Sequence, residues 1–158
     1  MDRESLLTQL DNLLPLAEEW AAAEEERALR EGVPLSVEEL ADARAIGVEA
    51  PDRVRLLRVE QIPAPLHPQL RGAVTAIRFL GPETRGLTLR YGIFVRWDCW
   101  RSRPLVAHEL AHTVQYERSG GILPFLRQYI GECLTIGYAN APMELEAGAV
   151  AARILARP

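Results

Sequence analysis

A basic excess, a membrane-length apolar run and a cysteine framework are all missing from this chain. The formal net charge is −4, so no basic face offers itself to nucleic acid. No apolar run approaches the roughly 20 residues that a membrane span requires, and no membrane association is expected. The opening stretch, MDRESLLTQLDNLL, is charged and amphipathic, with no apolar core segment and no small-residue cleavage site, so no signal peptide is read there. The two cysteines, Cys99 and Cys133, stand far apart and form no CxxC pattern. The expectation is a cytoplasmic protein with reduced thiols. Internal repeats and low-complexity tracts are absent as well.

What is present is ordinary globular composition: 158 residues, 48% hydrophobic and 25% charged. That length serves one domain with a sizeable core and is short for two. Leu6, Leu10, Leu13 and Leu14 recur at helical spacing, and Pro15 is expected to start or kink a second helical stretch that Gly32 ends. The acidic run Glu24 to Glu26 reads as a solvated face. Ser36 and Glu39 form a capping-box signature, with Gly47 as the stop. RVRLLRVE reads as a strand with Val54, Leu56 and Val59 facing inward. Leu66, Leu70, Val74 and Ile77 follow at steps of four, four and three, which favours a helix. Two β-rich runs follow, Leu87 to Tyr91 and Ile93 to Arg96, and Gly92 between them reads as a candidate bulge. Ser102 with Pro104, then Pro124, then Pro142 open three final helices. Helices, a little sheet, then helices predict an α+β domain, with a helical part at residues 1–50 and a core at 51–158.

HELAH, at residues 108 to 112, carries the chemistry. Residues four apart on a helix share a face, so His108 and His112 can direct two imidazole nitrogens at one ion. Zn²⁺ accepts neutral imidazole in a tetrahedral shell, and Glu109 beside the first histidine can serve as general base on a water held there. With three histidines and seventeen glutamates, shuffling the composition produces this pattern in roughly half a per cent of sequences. Leu105, Val106, Leu110, Ala111 and Val114 make the helix apolar around much of its girth. Polar groups on such a helix need partners, because unpaired burial costs several kcal/mol. A catalytic zinc needs a third protein ligand. Gln115 and Arg118 occupy the positions at which a metzincin would carry its glycine and third histidine, and His67 lies upstream between prolines. Glu117, Glu132, Glu144 and Glu146 remain, with Glu144 and Glu146 at the start of a separate helix that can fold back over the first.

HELAH followed by a short spacer and ELEAG resembles the gluzincin arrangement H-E-x-x-H…E-x-x-A of small bacterial zinc peptidases, ImmA-like ones included. QYER, FLRQYI and GYANAPMELEA are similar to stretches of minimal gluzincins. The resemblance covers roughly residues 85 to 155. It implies a zincin-like fold, mostly helical, with a small sheet beside the HExxH helix. Because the ligand glutamate stands three before the alanine, Ala147 makes Glu144 the third ligand and Glu146 a neighbour. Many gluzincins carry an aspartate right after that alanine, which orients a ligand histidine; this chain has Gly148. A backbone carbonyl, Glu146 or Glu117 is then expected to orient the imidazole. GLTLRYGIFVR also resembles the edge strand on which such zincins hold a peptide, which places substrate along Ile93 to Val95.

Tyr138, in the loop before the Glu144 helix, is the candidate donor to the oxyanion of a hydrolytic transition state. Arg96, Arg101 and Arg103 form a basic cluster near the site, and Trp97, Cys99 and Trp100 flank the loop before the HExxH helix. The expected function is a zinc-dependent peptidase acting on a peptide or protein substrate. The alternative is a zinc-stabilised binding or regulatory module without significant turnover.

Overall fold

The structure, a computed structural model, describes residues 2–158. Helix α1 spans Arg3–Glu31 and is unbroken through Pro15. Asp2 caps its start by accepting the Ser5 N–H at 2.7 Å. Pro15 therefore does not start a second helix; it lies inside α1. Leu14, Ala17, Ala21 and Ala28 are all buried along one helix, and that tertiary packing outweighs the lost hydrogen bond. The side chain of Leu6 lies outside the described residues. Helix α2, Val37–Ile46, carries the predicted capping box between Ser36 and Glu39, and Gly47 ends it in the left-handed conformation (φ 105°).

Four short strands form one sheet in the order β1-β2-β4-β3. They are β1 (Val33–Pro34), β2 (Arg55–Val59), β3 (Gly86–Leu89) and β4 (Gly92–Arg96). β1 pairs antiparallel with β2, β2 parallel with β4, and β4 antiparallel with β3. Strand β4 is therefore interior, and the expectation that Ile93 to Val95 offers a free edge to substrate is overturned. Its four buried residues, Gly92 through Val95, are what a strand covered on both faces requires. The edge nearest the HExxH helix is β3.

Side-chain alternation along β4 builds two apolar layers. Phe94 joins Leu87, Leu89 and buried residues of α1, of α3 (Pro68–Ala76) and of α5 (Ile122–Thr135). Ile93 and Val95 face the other way, with Leu56, and pack on α2, on α4 (Arg103–Ser119) and on α6 (Pro142–Leu155). Each fully buried side chain of this size contributes roughly 1.5–3 kcal/mol relative to exposure. The helix at residues 68–76 forms as expected, with Leu70, Val74 and Ile77 buried and Leu66 exposed.

Gly92 is not a bulge; it begins β4, directly opposite Leu89. A Cβ there would stand 2.8 Å from Cβ of Ala28, so glycine lets α1 lie on the sheet. The acidic run is solvated only in part. Glu25 is buried; it accepts two hydrogen bonds from the Arg90 guanidinium (2.8 and 2.7 Å) and a third from the Tyr91 N–H (3.0 Å). It thereby ties α1 to the two-residue turn between β3 and β4. No described helix is long and apolar enough to cross a membrane, and both cysteines are free thiols.

Candidate metal centre

Helix α4 begins after Ser102 with Pro104 in its first turn, and ends at Gly120 in the left-handed conformation (φ 93°). It lies between β3 and α6. Its buried residues include Leu110, Ala111 and Tyr116, and also Glu109, His112 and Gln115, so polar and apolar groups share the covered surface. The Tyr116 ring stacks on Phe125 with centroids 3.6 Å apart, and its hydroxyl donates to the Thr88 carbonyl (3.1 Å).

Nε2 of His108 stands 3.0 Å from Oε2 of Glu144, and Nε2 of His112 stands 3.2 Å from Oε1 of the same carboxylate. One ligand atom from each of the three residues lies within 4.8 Å of the others, so the cluster can hold a metal ion. Bonds of about 2.0–2.1 Å in a tetrahedron imply ligand atoms about 3.3 Å apart, close to the spacings observed. Two imidazoles and one carboxylate form a donor set that suits zinc and leaves a fourth position.

Glu144 owes its place to three residues on two helices. The Tyr129 hydroxyl on α5 donates to its Oε1 at 2.6 Å. Glu132, also on α5, accepts the Met143 N–H at 2.9 Å, and Gln115 on α4 donates to the Met143 carbonyl at 2.9 Å. The first turn of α6 is thus pinned from both neighbouring helices. Burial alone would raise the Glu144 pKa, but the hydrogen bonds from His108 and His112 and the charge on His112 hold it well below the usual carboxylate range. Burial lowers the His112 pKa, but the bond to Glu144 and the charges of Glu109 and Glu144 outweigh it and raise the group to about 9. Burial and then the Glu144 charge push the Tyr129 phenol well up, so it remains a donor.

His112 also directs Nδ1 at Oε1 of Gln115, 2.7 Å away. The Gln115 amide nitrogen faces the Met143 carbonyl and Oε1 of Glu146 (2.8 Å), which leaves Oε1 as the acceptor for the ring. Glu146 in turn accepts from Arg118 at 2.8 Å. Gln115, where a metzincin would carry its glycine, orients the His112 ring, the part expected of a backbone carbonyl, Glu146 or Glu117. Glu146 acts one step behind it. Glu117 is engaged elsewhere, accepting from the Glu49 and Ala50 N–H groups (3.0 and 3.2 Å) and from the Tyr91 hydroxyl (2.9 Å).

Glu109 lines the same cleft, a space of about 50 Å³ shared with Thr88, His108, His112, Tyr129, Tyr138 and Glu144. Thr88 Oγ1 stands 2.6 Å from Oε2 of Glu109. The other oxygen lies against β3, where a Cβ on Gly86 would come within 2.8 Å of Oε1. Tyr138 sits on the short 3₁₀ turn Tyr138–Asn140, half-exposed at the cleft mouth. Burial and then the charges of Glu144 and Glu109 raise its pKa, so the phenol keeps its proton.

The structure therefore brings together all five residues expected at the site: His108, Glu109, His112, Tyr138 and Glu144. His67 is exposed at the start of α3, away from the cluster. Thr88, Gln115 and Tyr129 were missed. The cluster Arg96, Arg101 and Arg103 is neutralised by Asp98, Glu39 and Asp42, at 2.7, 2.7 and 2.9 Å. Cys133 is buried, and burial raises its thiol to about 12, which makes it inert core. Compared with family models, curated proteins and solved structures, the chain shows no significant match.

Proposed function

We propose that this chain is a zinc-dependent peptidase of the gluzincin type, with His108, His112 and Glu144 as metal ligands and Glu109 as general base. The observation that carries the reading is the convergence of two histidines, a braced glutamate and a second, separately held carboxylate on one small cleft. Zinc in this position would supply Lewis acidity, lowering the pKa of a water and polarising a carbonyl.

The residues divide the remaining work. Glu109 accepts the proton of the attacking water and delivers it to the leaving amide nitrogen. Thr88 and the absence of a side chain at Gly86 aim its carboxylate. Gln115 holds the His112 ring in one orientation, and Tyr129 does the same for Glu144. Tyr138, protonated at the mouth, donates to the oxyanion that develops on the substrate carbonyl. Substrate enters along β3, the edge strand, where the ladder alternation set by the Arg96 N–H to Arg85 carbonyl bond (2.8 Å) turns the main-chain groups of Gly86 away from β4.

The test is metal content followed by turnover. Purified protein is expected to carry close to one zinc per chain and to hydrolyse an unstructured protein such as labelled casein. Glu109→Gln should keep the zinc and lose about 10²- to 10⁴-fold in rate. Zinc without turnover in the wild type assigns the alternative, a zinc-stabilised binding or regulatory module. The absence of any first-row metal removes both.

A further inference from the structure

Among the described residues, three non-glycine positions have positive φ, and all three are arginines: Arg78 (61°), Arg90 (58°) and Arg101 (55°). Left-handed backbone is unfavourable for any residue with a Cβ, so each needs a compensating interaction. Arg90 has one in its two-pronged bond to Glu25. Arg101 has one in Glu39, at 2.7 Å, and its guanidinium lies over the Trp100 ring, 5.3 Å from the centroid. Arg78 makes no side-chain hydrogen bond or ion pair among the described residues.

Arg78 stands just past α3. Its N–H donates to the Thr75 carbonyl and the next one, from Phe79, to the Val74 carbonyl, which closes the helix. Glycine is the usual residue at such a position, because it adopts the left-handed conformation without steric cost. The Arg78 side chain makes no hydrogen bond to the last carbonyls of the helix, and the residue is exposed. What arginine does there is line a groove. That groove, about 520 Å³, opens onto His108 and Glu109 and is walled by Arg78, Arg85, Glu83 and Tyr138 among others. Arg85 is also exposed and without a partner among the described residues. Glu83 lies outside ion-pair distance of both. Arg96, Arg101 and Arg103 are each paired with a carboxylate, whereas these two have no such partner among the described residues.

We propose that Arg78 and Arg85 bind a carboxylate of the substrate, so that the site acts on peptides with an acidic side chain or a free C terminus close to the cleaved bond. The planar guanidinium fork matches a carboxylate in a two-pronged bond. The bond cleaved rests on the peptidase reading; the carboxylate anchor does not.

Three hexapeptides of one otherwise neutral sequence test it. The first is N-acetylated and C-amidated with a single glutamate, the second is its glutamine isostere, and the third is that isostere with a free C-terminal carboxylate. Binding to the full chain is measured by calorimetry, metal-free and zinc-loaded, in the Glu109→Gln background so that no peptide is consumed. At least one carboxylate peptide is expected to bind about ten-fold tighter than the neutral one. A preference for the first marks a side-chain subsite, and a preference for the third marks a C-terminal subsite. Arg78→Gly should erase the preference while the melting temperature holds or rises, because glycine suits the backbone; Arg78→Lys should retain part of it. Equal or undetectable binding of all three overturns the proposal. So does a preference that survives in the Arg78→Gly, Arg85→Ala double variant, since the metal site would then be its source. Casein hydrolysis without a carboxylate preference leaves the peptidase reading standing and removes the anchor. A preference in a chain that hydrolyses nothing leaves the anchor and removes the peptidase.

Discussion

Nδ1 of His112 stands 2.7 Å from Oε1 of Gln115, three residues further along the same helix. The amide is itself held by the Met143 carbonyl and by Glu146, so the ring presents Nε2 to the site in a fixed orientation. Gln115→Ala is therefore expected to weaken zinc binding by about 10- to 100-fold, measured by chelator competition, with the helical circular dichroism unchanged. Glu144→Ala should cost more than this, and Glu146→Ala less, because Glu146 acts only through Gln115. A larger loss from Glu146→Ala than from Glu144→Ala would show that the ligand has been assigned to the wrong carboxylate.

Proton and metal compete for the same nitrogen. In the metal-free fold the His112 pKa is raised to about 9, against 6.5 for an ordinary histidine. Its contribution to stability is complete below pH 6.5 and is lost as pH rises through about 9. Glu144 has the opposite sign: its depressed pKa contributes above 4.5, and the contribution is lost as pH falls through the folded value. Metal-free protein should thus gain most from this pair in mildly acidic buffer. Zinc must displace the His112 proton, so its affinity should rise about ten-fold per pH unit on the approach to about 9. Chelator competition at several pH values checks this, and an affinity that is flat from mildly acidic to mildly alkaline buffer contradicts it.

Gly86 is the position at which β3 makes room for the carboxylate of Glu109, the proposed general base. A methyl group there would stand 2.8 Å from Oε1 of Glu109 and force the carboxylate aside. Gly86→Ala is expected to lower kcat/KM on the order of 10²-fold, the scale of a misplacement of about 1 Å, with zinc stoichiometry unchanged. Loss of zinc in parallel with activity would mean that the strand, and not the base, had moved.

Glu25 couples the first helix to the hairpin that borders the site. Glu25→Ala leaves the buried Tyr91 N–H without its acceptor and frees Arg90 in a strained backbone conformation. The expected destabilisation is about 1–3 kcal/mol, read from the urea midpoint. An unchanged midpoint would show that α1 is held to the sheet by its apolar face alone.

Some of this was legible in the chain because it is local. His108, Glu109 and His112 needed only the pitch of a helix, and Ser36 with Glu39 needed only one turn. Gln115 lay in plain view, since a residue three beyond a histidine shares its face. A continuous apolar run in GIFV was likewise the mark of a strand covered on both faces.

The chain by itself therefore determined most of the elements, the alternation of their faces and the candidate metal-binding pair on α4. Those follow from covalent geometry and from burial of apolar side chains, which each segment expresses within a few turns. Only the tertiary structure decided which strand is the edge, because periodicity reports which face is covered and not which strand lies alongside. It alone brought Tyr129 to Glu144 across 15 residues and Thr88 to Glu109 across 21. It also turned a seemingly solvated Glu25 into a buried brace 65 residues from Arg90. In each case a buried charge takes the nearest donor, and which donor is nearest is a property of packed helices and strands, not of any stretch of sequence.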